Sequence, residues 1–288
     1  MRKKSLKKKM LPYLLLLPSF AFFVAFVYYP FAKTIFTSFS ITTEIGEFVA
    51  WAGFSNWKKV LTSFDFGRTM LNTFIMAGIC LVVELSIAMF LALLSTREKK
   101  GSKVYQTLYS APMVIASTAV AAMWIFLFRQ DGGIVNEVFN ANWNLLKDKD
   151  TALLAVALIT SWSAIAGKFL WLMVGFRNVP DDLIEASMID GANWWRRIIN
   201  IMIPMASPQI FYVLFTSIIG AFKTFTQIRL LTQGGPAGST TTLMWQVYHK
   251  SQIGAPEAAC CWSLILFIVI FIATRIQFAF EKKMVHYQ

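Results

Sequence analysis

The stretch DDLIEASMIDGANWWRRIINIMIP, Asp181 to Pro204, lies between two long apolar runs. A link between membrane spans needs only a few polar residues, yet this one carries a helix start, a stop and a second start. Pro180 disfavours helix in the residue before it. Asp181 or Asp182 can then act as N-cap, and Asp182 with Glu185 has the spacing of a capping box. The acids sit where a helix N-terminus favours negative charge. Leu183, Ile184, Ala186, Ser187 and Met188 supply a small apolar surface. Gly191 can stop the helix in a left-handed conformation. Asn193 can cap a second helix, which Trp194 and Trp195 hold at an interface, and Arg196 and Arg197 face an anionic inner leaflet. The pattern predicts a short helix, a sharp turn and a re-entry. Two uses fit it: a helix bracing the inner surface, or a knob that a cytosolic partner receives in a groove.

The flanking runs set the fold class. Of the 288 residues 57% are hydrophobic and 15% charged, and the mean hydropathy is +0.57. Such an excess of apolar side chains would leave large exposed patches in water, so a bilayer is the natural solvent. A span needs roughly 20 apolar residues. Six stretches meet or approach that, at about 10–32, 69–96, 104–128, 151–176, 198–222 and 258–280. We therefore expect an all-α membrane protein with six transmembrane helices, forming one transmembrane domain over 10–280, and a coupling segment at 181–204 between spans four and five. Pro204 and Pro208 imply that the fifth helix begins after the first proline or kinks near the second. The first run is too long for a signal-peptide core and lacks a small-residue cleavage site, so it is read as a retained span.

Basic residues orient the chain. With the N-terminus inside, segments 1–9, 97–103, 177–197 and 281–288 carry 15 Lys and Arg. The outer segments 38–68, 129–150 and 223–257 are together about twice as long and carry 9. That asymmetry puts both termini, the tails 1–9 and 281–288, and the Asp181–Pro204 stretch in the cytosol. It also removes nucleic acid as a reading of the net charge of +12, because the positive residues edge the apolar runs. Trp51, Trp57, Trp143 and Trp245 fall in the outer links and suit an interfacial belt.

Several chemistries are missing from the sequence. There is no phosphate-binding G-x-x-x-x-G-K-[ST] and no G-x-S-x-G nucleophile elbow. TQGGPAGSTTT (Thr232 to Thr242) is Gly-rich without the lysine and reads as a flexible outer turn. His249 and His286 fall on opposite sides of the membrane, which excludes a shared zinc site. Cys80, Cys260 and Cys261 lie in apolar runs and read as small helix residues.

The run Glu185, Ala186, Ser187, then Asp190, Gly191, Ala192, then Ile201 and Pro204 resembles the EAA signature of ABC importer permeases: E-A-A, three residues, G, nine residues, I-x-L-P. The spacing agrees throughout, with Ser187 for the second alanine and Ile203 for leucine. LLLLPSFAFFVAFVYYP (14–30), WAGFSNWKKVL (51–61) before LNTFIMA (71–77), LLTQGGPAGSTTTL (230–243) and FEKKMVHY (280–287) resemble one permease subunit of carbohydrate and glycerol-phosphate importers. IGAPEAACCW (253–262) departs from the family's G-Y-A-S-A type sequence. The resemblance implies a transport subunit of a prokaryotic cytoplasmic membrane, not an enzyme. It implies a heterodimer with a second, different permease, two ATP-binding subunits in the cytosol that hold ATP and magnesium, and an extracellular solute-binding protein. The implied solute is a sugar, with an anionic solute such as glycerol phosphate as the alternative and a stand-alone carrier as a remote one. In this family the segment is the coupling helix, so Glu185, Ala186, Ser187, Asp190, Gly191, Ala192 and Pro204 become coupling residues.

Polar groups inside spans supply candidates for the path. Glu84 sits near the middle of span two, where it must be protonated, paired or facing a wet cavity. Lys168 is about 12 Å from the cytosolic end of span four at the helical rise and either snorkels or serves the path. Trp162, Asn72 and Gln227, with Trp171 and Thr160, offer the aromatic faces and hydrogen-bonding groups a sugar needs.

Overall fold

A computed structural model describes residues 2–96 and 101–284. Positions 97–100, which carry part of the inner basic charge, and 285–288, with His286, lie outside the described residues. The chain forms two compact units, residues 2–63 with 247–265 and residues 64–246 with 266–284.

In the first unit, α1 (Arg2–Phe23) passes through a π turn at Val24–Tyr28 into α2 (Tyr29–Ser38). Apolar side chains from Met10 to Phe36 are exposed all round this rod, the surface expected of a helix whose solvent is lipid or another apolar chain. A hairpin follows, β1 (Ser40–Thr42) antiparallel to β2 (Phe48–Trp51), a small exception to the all-helical expectation. Asn56, buried on α3 (Ser55–Leu61), donates to the carbonyls of Ser38 and Ser40 at 3.2 and 2.8 Å and ties helix to hairpin. Phe39 stacks on Trp51 and meets Phe54 edge-on, so Trp51 is part of an aromatic cluster. Thr42 donates to Glu257 at 2.8 Å, at the start of the last helix.

The second unit is built on a seam between α4 (Phe66–Leu94) and α8 (Ala152–Arg177). Small residues make the close approach: Cys80, Ala88 and Ala92 recur at helical spacing on one face of α4 and are fully buried. Phe169, Leu172 and Phe176 of α8 pack there, joined by Ile198, Met202, Ala206 and Val213. Dispersion and small-residue packing hold such a seam in lipid, where apolar burial gains little.

Two spans are interrupted, the third within a run that reads as continuous and the fifth at the prolines, where the sequence implies it. The third is two helices, α5 (Ser102–Ser110) and α6 (Ser117–Leu127), bent by 98° about a 3-10 turn at Ala111–Val114. Pro112 lacks the N–H that would continue the ladder, and Ile115 and Ala116 are extended. The short α7 (Ile134–Val138) follows. After α9 (Asp181–Ile189) and α10 (Trp194–Arg197), the fifth stretch runs through a π turn at Ile198–Met202 and α11 (Ile203–Met205), breaks at Ala206 and resumes as α12 (Ser207–Phe222). Pro204 and Pro208 each occupy a first turn, where proline is tolerated, and the break falls between them. The short α13 (Thr226–Leu231) and α14 (Leu243–Gln252) precede α15 (Pro256–Met284). Among the described residues five helices are long and apolar enough to cross a membrane, or six if the bent pair is one span.

Candidate functional site

The α9 helix starts without the expected capping box. Pro180 is the N-cap and no side chain caps the first turn, so Asp181 and Asp182 act there through the helix dipole. Glu185 lies one turn on and closes no bond back to Asp182. The C-terminus is closed more firmly. Gly191 donates to Met188 O at 3.1 Å and Ala192 to Ser187 O at 2.9 Å, the two bonds of a Schellman motif. Both need Gly191 at φ +74°, the left-handed region. Asp190 completes the last turn through a bond to Ala186 O at 3.0 Å. Asn193 then caps α10, its side-chain oxygen accepting from Arg196 N at 2.9 Å. Pro204 sits farther along, in the first turn of α11.

The helix has two faces. Asp181, Ile184, Glu185 and Met188 line a cavity of about 900 Å³ against the ends of α4 and α8. Leu183, Ala186 and Ile189 lie on the other face, and Ile189 is 88% exposed. Ser187 is buried, with its hydroxyl bonded to Ile184 O at 2.6 Å. The sequence pattern selected Glu185, Ala186 and Ser187 together. The structure separates them into three environments and adds Ile189, which the pattern passed over because an isoleucine near a helix end gives no signal of its own.

Glu84 lies in the α4–α8 seam, on the same helical face as Cys80 and Ala88, with its side chain 4% exposed. Lys168 reaches it from α8 and forms an ion pair. Of the three states open to Glu84, the structure gives the paired one. Such a pair must repay the desolvation of two charges, and removing one partner leaves the other stranded.

The 232–242 stretch is not the flexible turn its composition suggested. Arg68 and Asn72 of α4 grip it, and Thr73 holds Leu243 just beyond it. Arg68 donates to Ala237 O at 2.6 Å, and Asn72 to both Gly238 O at 3.0 Å and Thr241 O at 3.1 Å. Thr73 accepts from Leu243 N at 2.9 Å. Within the loop, Thr240 donates to Gly235 O at 2.8 Å and Thr241 to Gly234 O at 3.0 Å. Asn72 is thus buried with its amide committed to the loop. Asn72→Ala should lose two bonds and leave Thr241 O without its donor, while Gly238 O keeps its bond from Thr241 N, at a cost of about 1–3 kcal/mol. Amide hydrogen exchange at 234–242 should accelerate; unchanged protection would show that Asn72 does not hold the loop.

The other path candidates are dispersed. Trp162 meets Trp124 edge-on with centroids 5.9 Å apart, and Trp171 meets Tyr212 at 5.1 Å. Gln227 is buried on α13, and Thr160 bonds to Val156 O within its own helix. Lys223 and Arg229 are exposed near the two ends of the α12–α13 junction, with Arg229 over the Phe225 ring at 6.0 Å.

Residues 84–286 match the family model described as binding-protein-dependent transport system inner membrane component. Among curated proteins, the sn-glycerol-3-phosphate transport system permease protein UgpA of Yersinia enterocolitica is 31% identical over 283 residues, covering 96% of each chain. The protein of the same description from Agrobacterium fabrum is 30% identical, covering 97% of each. Among solved structures, a bacterial ABC transporter involved in the import of the acidic polysaccharide alginate has a chain that superposes with a TM-score of 0.86 at 21% identity, over 98% of this chain and 99% of that one. A chain of an amino acid ABC transporter superposes with a TM-score of 0.51 at 14% identity, over 75% of this chain and 92% of that one.

Proposed function

The chain belongs to the binding-protein-dependent transport system inner membrane components, the permease subunits of ABC importers, and from that membership we propose that α9 docks on an ATP-hydrolysing partner through Leu183, Ala186 and Ile189. The observation that carries this is the exposed apolar face of a short helix whose far end is locked by the Gly191 turn. A rigid helix transmits displacement only if its docking energy differs between the partner's states. ATP and magnesium are bound by two such partners, and a second, different permease completes the membrane part. The apolar surface exposed all round α1 and α2 is consistent with lipid and a neighbouring subunit. The charge asymmetry supports a multi-pass topology in the cytoplasmic membrane with α9 and both termini in the cytosol. A carrier working alone would have no use for an exposed apolar helix at that position.

The solute is a sugar or sugar-like molecule delivered by an extracellular binding protein. A second reading, an anionic solute, is favoured by the exposed Arg129, Lys223 and Arg229 and by what the relatives' descriptions name, glycerol 3-phosphate and alginate. Screening the cognate binding protein against neutral and acidic sugars and glycerol phosphate separates the two.

Ile189→Asp tests the docking face. A charge at the centre of an apolar contact should cost about 2 kcal/mol, roughly thirtyfold in affinity. The variant, purified from native membranes in mild detergent, should lose its ATP-hydrolysing partner, whereas Ile189→Leu keeps it. Equal recovery with both would refute docking through this face.

A further inference from the structure

On its inner face α9 covers the cavity of about 900 Å³, and the chemistry of that cavity is amphiphilic. Leu93, Leu94, Ile184, Met188 and Met202 line it together with Arg177 and Arg197. Nε and Nη1 of Arg197 are buried and make no hydrogen bond among the described residues. Buried guanidinium nitrogens are costly to leave without acceptors, and a fork of N–H donors suits phosphate. Arg177 lines the same cavity, with Nη2 donating to Ser95 O at 3.3 Å. We propose that the cavity is a phospholipid site, in which Arg197 and Arg177 hold the headgroup phosphodiester and the apolar wall takes the upper acyl chain.

Three features favour a lipid over free phosphate. The volume far exceeds that of an inorganic ion, and the apolar wall has no role toward one. Asp181 and Glu185, both exposed, also line the cavity. Two carboxylates repel a dianion more than the single charge of a phosphodiester, and they can accept hydrogen bonds from an ethanolamine or glycerol headgroup. Basic pockets between spans on the cytosolic side are general sites for such headgroups. This placement rests on the topology proposed above. A lipid seated under α9 would brace the helix from the membrane side, so that its outer face meets the partner in a fixed orientation.

The test uses the complex purified from native membranes. It is delipidated, then titrated with phosphatidylethanolamine, phosphatidylglycerol or inorganic phosphate, and bound lipid is counted by native mass spectrometry. The wild type should retain a phospholipid that Arg177→Gln with Arg197→Gln holds at least about tenfold more weakly, the loss of charge-assisted bonds. Arg197→Lys should recover part of the affinity, which shows that loss does not come from misfolding. Equal lipid retention by wild type and double variant overturns the proposal. So does arginine-dependent binding of inorganic phosphate with no lipid bound. The topology is read separately, by labelling Asp190→Cys with a membrane-impermeant thiol reagent. Labelling only in inside-out vesicles, with no arginine-dependent lipid, would sink the lipid site alone; labelling from outside would sink the topology beneath it.

Discussion

Lys168→Met should destabilise the protein by about 3–5 kcal/mol, among the largest effects of any single substitution here, because it strands the Glu84 carboxylate in the α4–α8 seam. Glu84→Leu should do the same by stranding the ammonium. The double variant should regain most of the loss, since an apolar pair of similar volume carries no desolvation penalty. Thermal unfolding in detergent, run as a double-mutant cycle, measures the coupling directly. Single variants as stable as wild type would mean that the pair is solvated and contributes little. If the doubly apolar protein is stable but transports poorly, the pair serves the transport cycle as well as the fold.

Gly191→Val should separate ATP hydrolysis from uptake. Valine at φ +74° is strained, by about 1–2 kcal/mol or more, and a β-branched residue is among the least tolerant there. A Cβ on Gly191 would meet nothing within 4 Å, so crowding is not the cause. Relief comes by shifting the turn, which breaks the bonds to Met188 O and Ser187 O and loosens the lever. In proteoliposomes holding the whole importer, uptake should fall more than about tenfold while hydrolysis continues, and Gly191→Asn should keep much of the activity because asparagine tolerates the left-handed region. Normal uptake by the valine variant would sink the account of the turn.

Local signals are legible in the sequence, and contacts across the chain are not. The apolar run at 151–176 is α8, Ala152–Arg177, nearly to the residue, because its apolar pattern is uninterrupted except at Lys168. Gly191 and Asn193 perform the stop and the cap that their residue types advertise. Pro112 was hidden inside a run judged on hydropathy alone, and it marks a 98° bend. Asp182 and Glu185 had the right spacing for a capping box, but Pro180 had already taken the N-cap position. The Gly- and Thr-rich loop after α13 illustrates the deeper reason. Its composition is the same whether it is loose or held, and the residues that hold it, Arg68 and Asn72, lie far away on α4. Likewise Glu84 and Lys168 become partners only once the register of α4 on α8 is known. Hydropathy fixes which segments are helices; packing fixes which faces meet.

The central claim is that this chain moves its solute only when a partner bound at α9 hydrolyses ATP. The most direct measurement is solute uptake into proteoliposomes made from the complex that accompanies the tagged chain out of native membranes, with its binding protein added outside and ATP supplied or withheld inside. The account predicts uptake that requires both ATP and the binding protein and disappears with Ile189→Asp. Equal uptake without ATP, from preparations that contain this chain alone, would contradict it.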